Sequence, residues 1–192
     1  MAPYRVFVTG DFHIPFRARE IPKELLEFLD NTEVDLVAIT GDLVQSYVLQ
    51  PFKKYKLKVV RGNMDIGDAE KFPLVETISF PEINYKAILF HGTGIYPRGE
   101  PMLLRAVALK YKANVIITGH THVPDARKII DTVIINPGSG TGVHGGSGGF
   151  GHPTWALVEF DPSNIHIQVY AVKYSRKDKL VELIIDKTFD IP

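Results

Sequence analysis

Residues 114–125, "NVIITGHTHVPD", hold the pattern that decides the fold. The run Val115-Ile116-Ile117 does not alternate apolar with polar, as a strand with one wet face would. It suits a strand buried on both faces. Beyond the glycine, His120 and His122 stand two residues apart, and an extended chain points such residues to the same side. Both imidazoles are therefore expected to face one spot. Taken alone, two loop histidines are most simply solvated, so the choice rests on whether other strands bring partners.

They do. After "VFVT" comes Gly10-Asp11-Phe12-His13, after "VAIT" Gly41-Asp42, after "KVVR" Gly62-Asn63, and after "AILF" His91-Gly92. In open α/β sheets the ligand site lies outside the carboxyl ends of the strands, and glycines allow tight turns around it. The set Asp11, His13, Asp42, Asn63, His91, His120 and His122 offers only oxygen and imidazole donors. It is too large for one tetrahedral ion and suits two five- or six-coordinate ones, with a carboxylate such as Asp42 able to bridge them. Singly, an Asp or Asn after a strand is a helix cap or turn former. Turn chemistry does not explain the ordered set.

Helical segments lie between several of these strands. "PKELLEFLDN" (22–31) puts Leu25, Leu26 and Leu29 on one stripe, and "EPMLLRAVALKYK" (100–112) repeats Leu103, Leu104, Val107 and Ala108 at helical spacing. Strand, helix, strand in succession predicts an α/β fold. The last third, "WALVEFDPSNIHIQVYAV" (155–172) and "KLVELIIDKT" (179–188), reads as antiparallel strands, with His166 a solvated strand histidine. The glycine-rich "NPGSGTGVHGGSGGFGHP" (136–153) reads either as a plain hairpin connection or as a loop over a site. Its Gly138, Ser139, His144 and His152 are the candidate substrate contacts. It lacks the Gly-Lys-Ser/Thr ending of a P-loop.

Composition narrows the classes further. The 192 residues suit one domain, 1–192, and 45% apolar with 23% charged residues is a soluble globular profile. Lys plus Arg equals Asp plus Glu at 22 each, which gives no support for a membrane surface or a long nucleic acid as partner. The absence of cysteine excludes disulfides, thiolate metal sites and a thiol nucleophile. The opening "MAPYRVFVTGDFH" runs straight into a strand, and no apolar run reaches transmembrane length, so a cytoplasmic protein is expected.

In order, "GDFH", "TGD", "RGN", "FHG", "TGHTH" and "NPGS" resemble the calcineurin-like metallophosphoesterases, in particular their small single-domain phosphodiesterase branch. "GDFHIPFRAREIP" and "INPGSGTG" are similar to the phosphoesterase-like subunit of the retromer sorting complex, which uses the fold chiefly as a protein-interaction scaffold. The resemblance implies a two-sheet β-sandwich flanked by helices. It also implies two divalent ions, manganese first, with iron, cobalt, zinc or nickel as alternatives. Asp11, His13, Asp42 and His122 would hold one ion, and Asp42, Asn63, His91 and His120 the other. Asp42, Asn63 and His91 carry the catalytic roles by the same comparison.

The implied reaction is hydrolysis of a small phosphodiester by a hydroxide bridging ions about 3.5–4 Å apart, with weaker action on monoesters. A homodimer is also in the branch's habit. The alternative it implies is a metal-binding scaffold for a protein partner, with little or no activity. The chain departs from the family pattern at Met64, where many members carry a histidine that protonates the leaving group, and at Thr93. A thioether cannot donate a proton, which leaves Asp65 to brace the loop and His144 or His152 as replacement acids.

Overall fold

The computed structural model describes residues 2–80, 83, 85–146, 148–174 and 178–191. One sheet has the order β11-β10-β9-β1-β2-β3, built from β1 (Tyr4–Thr9), β2 (Leu36–Ile39), β3 (Leu57–Val59), β9 (Thr154–Phe160), β10 (Asn164–Tyr174) and β11 (Lys179–Asp190). The second has the order β4-β5-β6-β8-β7, built from β4 (Val75–Ser79), β5 (Lys86–Phe90), β6 (Val115–Ile117), β7 (Asp125–Ile129) and β8 (Thr132–Asn136). β1, β2 and β3 are mutually parallel, as are β5, β6 and β8. β9, β10 and β11 close the first sheet antiparallel.

Strand periodicity explains the unbroken apolar runs. Val6, Val8, Leu36 and Ala38 face the second sheet and pack with Ala87, Leu89, Val115, Ile117, Val133 and Ile135 in one core. Phe7, Val37, Ile39 and Trp155 face the other way, onto Leu25 and Leu29 of helix α1 (Lys23–Asp30) and Phe52 of a 3₁₀ segment (Ser46–Phe52). Ile88, Ile116 and Ile134 likewise turn outward beneath Leu104 and Ala108 of helix α2 (Pro101–Lys110). The order is helix, sheet, sheet, helix, the α/β sandwich expected. Each central strand is apolar on both faces because both are covered.

Two local expectations need correction. Leu103, read as part of the α2 stripe, is 42% exposed, because the helix buries only the Leu104–Ala108 side. The α1 stripe is as expected, with half-buried Leu26 packed on the same core as Leu25 and Leu29. His166 is not simply solvated: its Nε2 lies 2.6 Å from Asp186 Oδ1 on β11, and its Nδ1 lies 3.4 Å from Glu159 on β9. No helix among the described residues is long and apolar enough to cross a membrane.

Candidate metal centre

Parallel strands β1, β2, β3, β5 and β6 all end at one rim of the sandwich, and the loops that follow them carry all seven candidate ligands. Asp11, His13, Asp42 and His122 bring one donor atom each within 4.8 Å of the others, as do Asp42, His91 and His120. Asp42 belongs to both groups. Its Oδ2 lies 3.4 Å from His13 Nε2 and 3.4 Å from His91 Nε2. Asn63 joins the second group, with Oδ1 3.3 Å from His91 Nε2. The six Asp and His side chains are buried, whereas Asn63 is exposed at the mouth.

Backbone carbonyls set two of the four imidazoles. His91 Nδ1 donates to the Thr40 carbonyl at 2.7 Å, and His122 Nδ1 donates to the Val143 carbonyl at 2.7 Å. A carbonyl can only accept, so the Nε2 of each neutral ring presents a lone pair to the cluster. His91 Nε2 then faces Asp42 Oδ2, Asn63 Oδ1 and, at 3.1 Å, His120 Nδ1. His122 Nε2 faces Asp11 Oδ1 at 3.3 Å and His13 Nε2 at 3.1 Å. Acceptors gathered at this density are stable only around cations or protons. The donor set fits two divalent ions, and orientation of imidazoles by outer carbonyls is what such sites require.

The titration of these groups has the same cause. Burial opposes charge on His91, but the hydrogen-bonded Asp42 carboxylate and the charge of Asp11 outweigh it and hold the imidazole up to about 9. Burial also works against the Asp42 carboxylate, yet the His91 contact and the Met64 N–H hold it down to about 2. Burial pushes His13 down to about 4 against the pull of Asp42 and Asp11. Burial, then His91 and the Arg98 guanidinium, push His120 to about 4. Without metal, a proton takes the place a cation would fill between His91 and Asp42.

The loops are tied to one another as well as to the sheets. The Asp11 N–H donates to the Gly41 carbonyl and the His13 N–H to the Asp42 carbonyl, both at 2.9 Å. The His120 N–H donates to the Asp11 carboxylate at 3.1 Å, and the Met64 N–H to Asp42 Oδ1 at 2.8 Å. Asp65 is buried and accepts from the N–H groups of Gly62 (2.7 Å), Val44 (2.9 Å) and Asp42 (3.1 Å). This is the bracing role expected of it. Asp11, His13, Asp42, His120 and His122 all have φ between 48° and 69°, a region that costs an L-residue about 1–2 kcal/mol. A Cβ at Gly62 would strike the Asp42 carboxylate, and one at Gly119 would strike that of Asp11.

The substrate contacts expected in the glycine-rich segment divide. Ser139 is 1% exposed and its hydroxyl donates to the Asp11 carbonyl at 2.8 Å, so it supports the ligand loop from beneath. Gly138, also buried, has φ 79° and donates its N–H to Asn136 Oδ1. Neither lines the mouth. His144 is exposed, on a hairpin closed by the Gly145–Gly148 bridge, and its carbonyl accepts from Arg17 at 2.9 Å. His152 is half-buried between the Phe150 and Tyr174 rings. Among the described residues neither of these imidazoles hydrogen-bonds the cluster. Three residues that matter here are not among the candidates: Thr40, inside the "TGD" motif, and Val143 act through backbone carbonyls, and Arg98 acts through space.

The family model for the calcineurin-like phosphoesterase superfamily domain matches residues 4–162. A probable metallophosphoesterase of Methanothermobacter thermautotrophicus is 36% identical over 135 residues, covering 70% of this chain and 76% of the relative. Among solved structures, Vps29 of Chaetomium thermophilum has a TM-score of 0.87 at 23% identity, over 98% of this chain and 100% of that one. That likeness is one of fold. Wild-type Vps29 of Entamoeba histolytica, solved in complex with zinc, has a TM-score of 0.80 at 27% identity, over 95% of this chain and 98% of that one.

Proposed function

The chain belongs to the calcineurin-like phosphoesterase superfamily, and we propose that it is a dinuclear phosphodiesterase, acting on small diesters and weakly on monoesters. The observation that carries this reading is Asp42, whose Oδ2 is equidistant at 3.4 Å from an imidazole of each donor group. Asp11, His13, Asp42 and His122 would hold one ion and Asp42, Asn63, His91 and His120 the other. Manganese is the first choice for this mixture of nitrogen and oxygen donors. When bound, a pair of divalent ions supplies a nucleophile from water near neutral pH and polarises phosphoryl oxygens.

The chain's own residues do the rest. Asp42 fixes the spacing of the two groups, and Thr40 and Val143 fix the imidazole orientations. Asn63, neutral and at the mouth, limits the negative charge that meets an anionic substrate. Met64 provides no proton for the leaving group, which favours esters whose leaving groups depart without one. General acid catalysis contributes about 10²–10⁴-fold where it operates, so alkyl monoesters should suffer most.

The test strips the protein with chelator, restores manganese, and follows bis-p-nitrophenyl phosphate beside the monoester for wild type, Asp42→Asn and His120→Ala. Metal-dependent diester turnover that vanishes in both variants supports the reading. Two bound manganese ions with no turnover of either substrate would refute it. That outcome would favour a second reading, a metal-holding interaction scaffold, which Met64 and the Vps29-like backbone support.

A further inference from the structure

We propose that Arg98 binds the phosphoryl oxygens of the substrate, and that the cavity beside it receives the ester group carried by that phosphorus. The inference rests on the phosphodiesterase reading above and adds a residue and a pocket to it. Arg98 lies on the segment that leaves His91 and leads into α2. Gly99 packs against the loop carrying the two histidines, since a Cβ there would lie 2.8 Å from Thr121 Cγ2. The guanidinium itself lies against Gly146, with Nη1 3.0 Å and Nη2 3.1 Å from the place of a Cβ there. The neighbouring Gly145 meets the His122 ring, where a Cβ would lie 3.0 Å from Cδ2. Arg98 thus lies next to Gly146, one residue from the glycine that meets the His122 ring, and its charge acts on His120.

Its charge is uncommitted. Arg127 pairs with Asp125 at 2.5 Å and Arg105 with Asp131 at 2.7 Å. Among the described residues no carboxylate lies within ion-pair distance of Arg98, which is exposed. An unpaired guanidinium at the mouth of a cluster built for cations adds to their repulsion, which is a cost without an anion to share. A phosphoryl group removes that cost, and the planar fork matches two of its oxygens.

Arg98 also lines a cavity of about 280 Å³ with Thr121, Val123, Asn136 and Arg127 over a floor of Leu104 and Ile134. That is just under the usual range of ligand pockets, about 300–1,000 Å³. An aromatic ring or a sugar fits such a space, and a polymer does not. Apolar floor and polar walls suit a compact, amphipathic ester group. The substrate class is then a diester with one such group, phosphorus at the metals and Arg98, and the group in the cavity.

The experiment uses the manganese-loaded full chain as wild type, Arg98→Ala, Arg98→Lys and Val123→Trp. Binding of inorganic phosphate is measured by calorimetry, metal content by elemental analysis, and turnover with bis-p-nitrophenyl phosphate. Arg98→Ala should weaken phosphate binding about tenfold or more and raise KM, with manganese content and Tm unchanged. Arg98→Lys should recover part of the loss. Val123→Trp should raise KM for the diester while leaving phosphate affinity as in wild type. Phosphate affinity of Arg98→Ala within twofold of wild type, with both ions bound, overturns the Arg98 role. An unchanged KM in Val123→Trp overturns the cavity assignment. If phosphate binding depends on Arg98 while wild type hydrolyses no diester, the phosphodiesterase reading fails and the anion site stands.

Discussion

Replacing Asp65 should cost the protein more than any surface carboxylate, and the cost can be worked from three hydrogen bonds. Its side chain is 2% exposed and accepts from the N–H groups of Gly62, Val44 and Asp42. Asp65→Ala leaves three buried donors without partners, each worth about 1–3 kcal/mol. Water reaching the loop lowers the total, so the expected loss is about 3–5 kcal/mol. Asp65→Asn can keep the Gly62 and Asp42 bonds with its remaining oxygen, but it turns an NH₂ toward the Val44 N–H. Its expected loss is about 1–3 kcal/mol. Urea unfolding of the metal-free proteins reads both values. Because the same N–H groups fix Asp42 and the Asn63 loop, manganese affinity should fall in the same order, alanine below asparagine. A loss under 1 kcal/mol for Asp65→Ala, or wild-type manganese affinity, would show that the loop is held by something other than this carboxylate.

Three further outcomes are expected. Met64→His should raise turnover of unactivated diesters by about tenfold, below the usual general-acid gain, because Asp65 is occupied by backbone donors and cannot orient the new ring; steady-state rates on an alkyl diester check it. Gly119→Ala drives a Cβ into the Asp11 carboxylate and within 2.8 Å of Thr40 Oγ1, and overpacking of this kind costs about 1–3 kcal/mol; thermal unfolding and manganese titration should both register it. The metal-free protein should also lose stability in two pH windows. Asp42 titrates lower in the folded state than in the unfolded one, so its contribution is present above about 4 and is lost as pH falls toward about 2. His91 titrates higher when folded, so its contribution is full below 6.5 and is lost as pH rises through about 9. Urea midpoints from pH 6 to 9.5 should fall without metal, and should not fall with manganese, which takes the proton's place.

The parts of the fold that were legible in the sequence are those governed by burial. Val115-Ile116-Ile117 and Phe7-Val8 announced strands covered on both faces because each face meets a separate apolar layer. Most candidate ligands were legible because they lie a few residues past such a strand, and parallel strands bring those ends to one rim; Asn63 follows β3, whose Leu57 and Lys58 are only half-buried. Residues whose role depends on a distant partner were not. Nothing in the sequence around Ser139 announced that its hydroxyl donates to the Asp11 carbonyl. His166 gave no sign of Asp186, 20 residues away on the next strand. Arg98 has no local pattern around it, and its place beside Gly146 comes from tertiary packing.

A pattern of glycine and polar residues also hides what keeps the site in shape. Five candidate ligands have positive φ, a conformation that Asp and His enter more readily than β-branched residues but still at a cost. Such strain persists only where the surroundings over-determine it, and here each strained loop is tied to another. Asp11 is fixed to Gly41, His13 to Asp42, Asp42 to Asp65, and His120 to Asp11. The Phe150 N–H closes the far side on the His122 carbonyl at 3.0 Å. The ties thus run from one ligand loop to the next, from backbone N–H groups to backbone carbonyls and to the Asp65 and Asp11 carboxylates. Metal binding then has little backbone ordering to do and mainly exchanges protons for cations. In such a lattice the position of each ligand depends on its neighbours, so removing one side chain should disturb both donor groups rather than one.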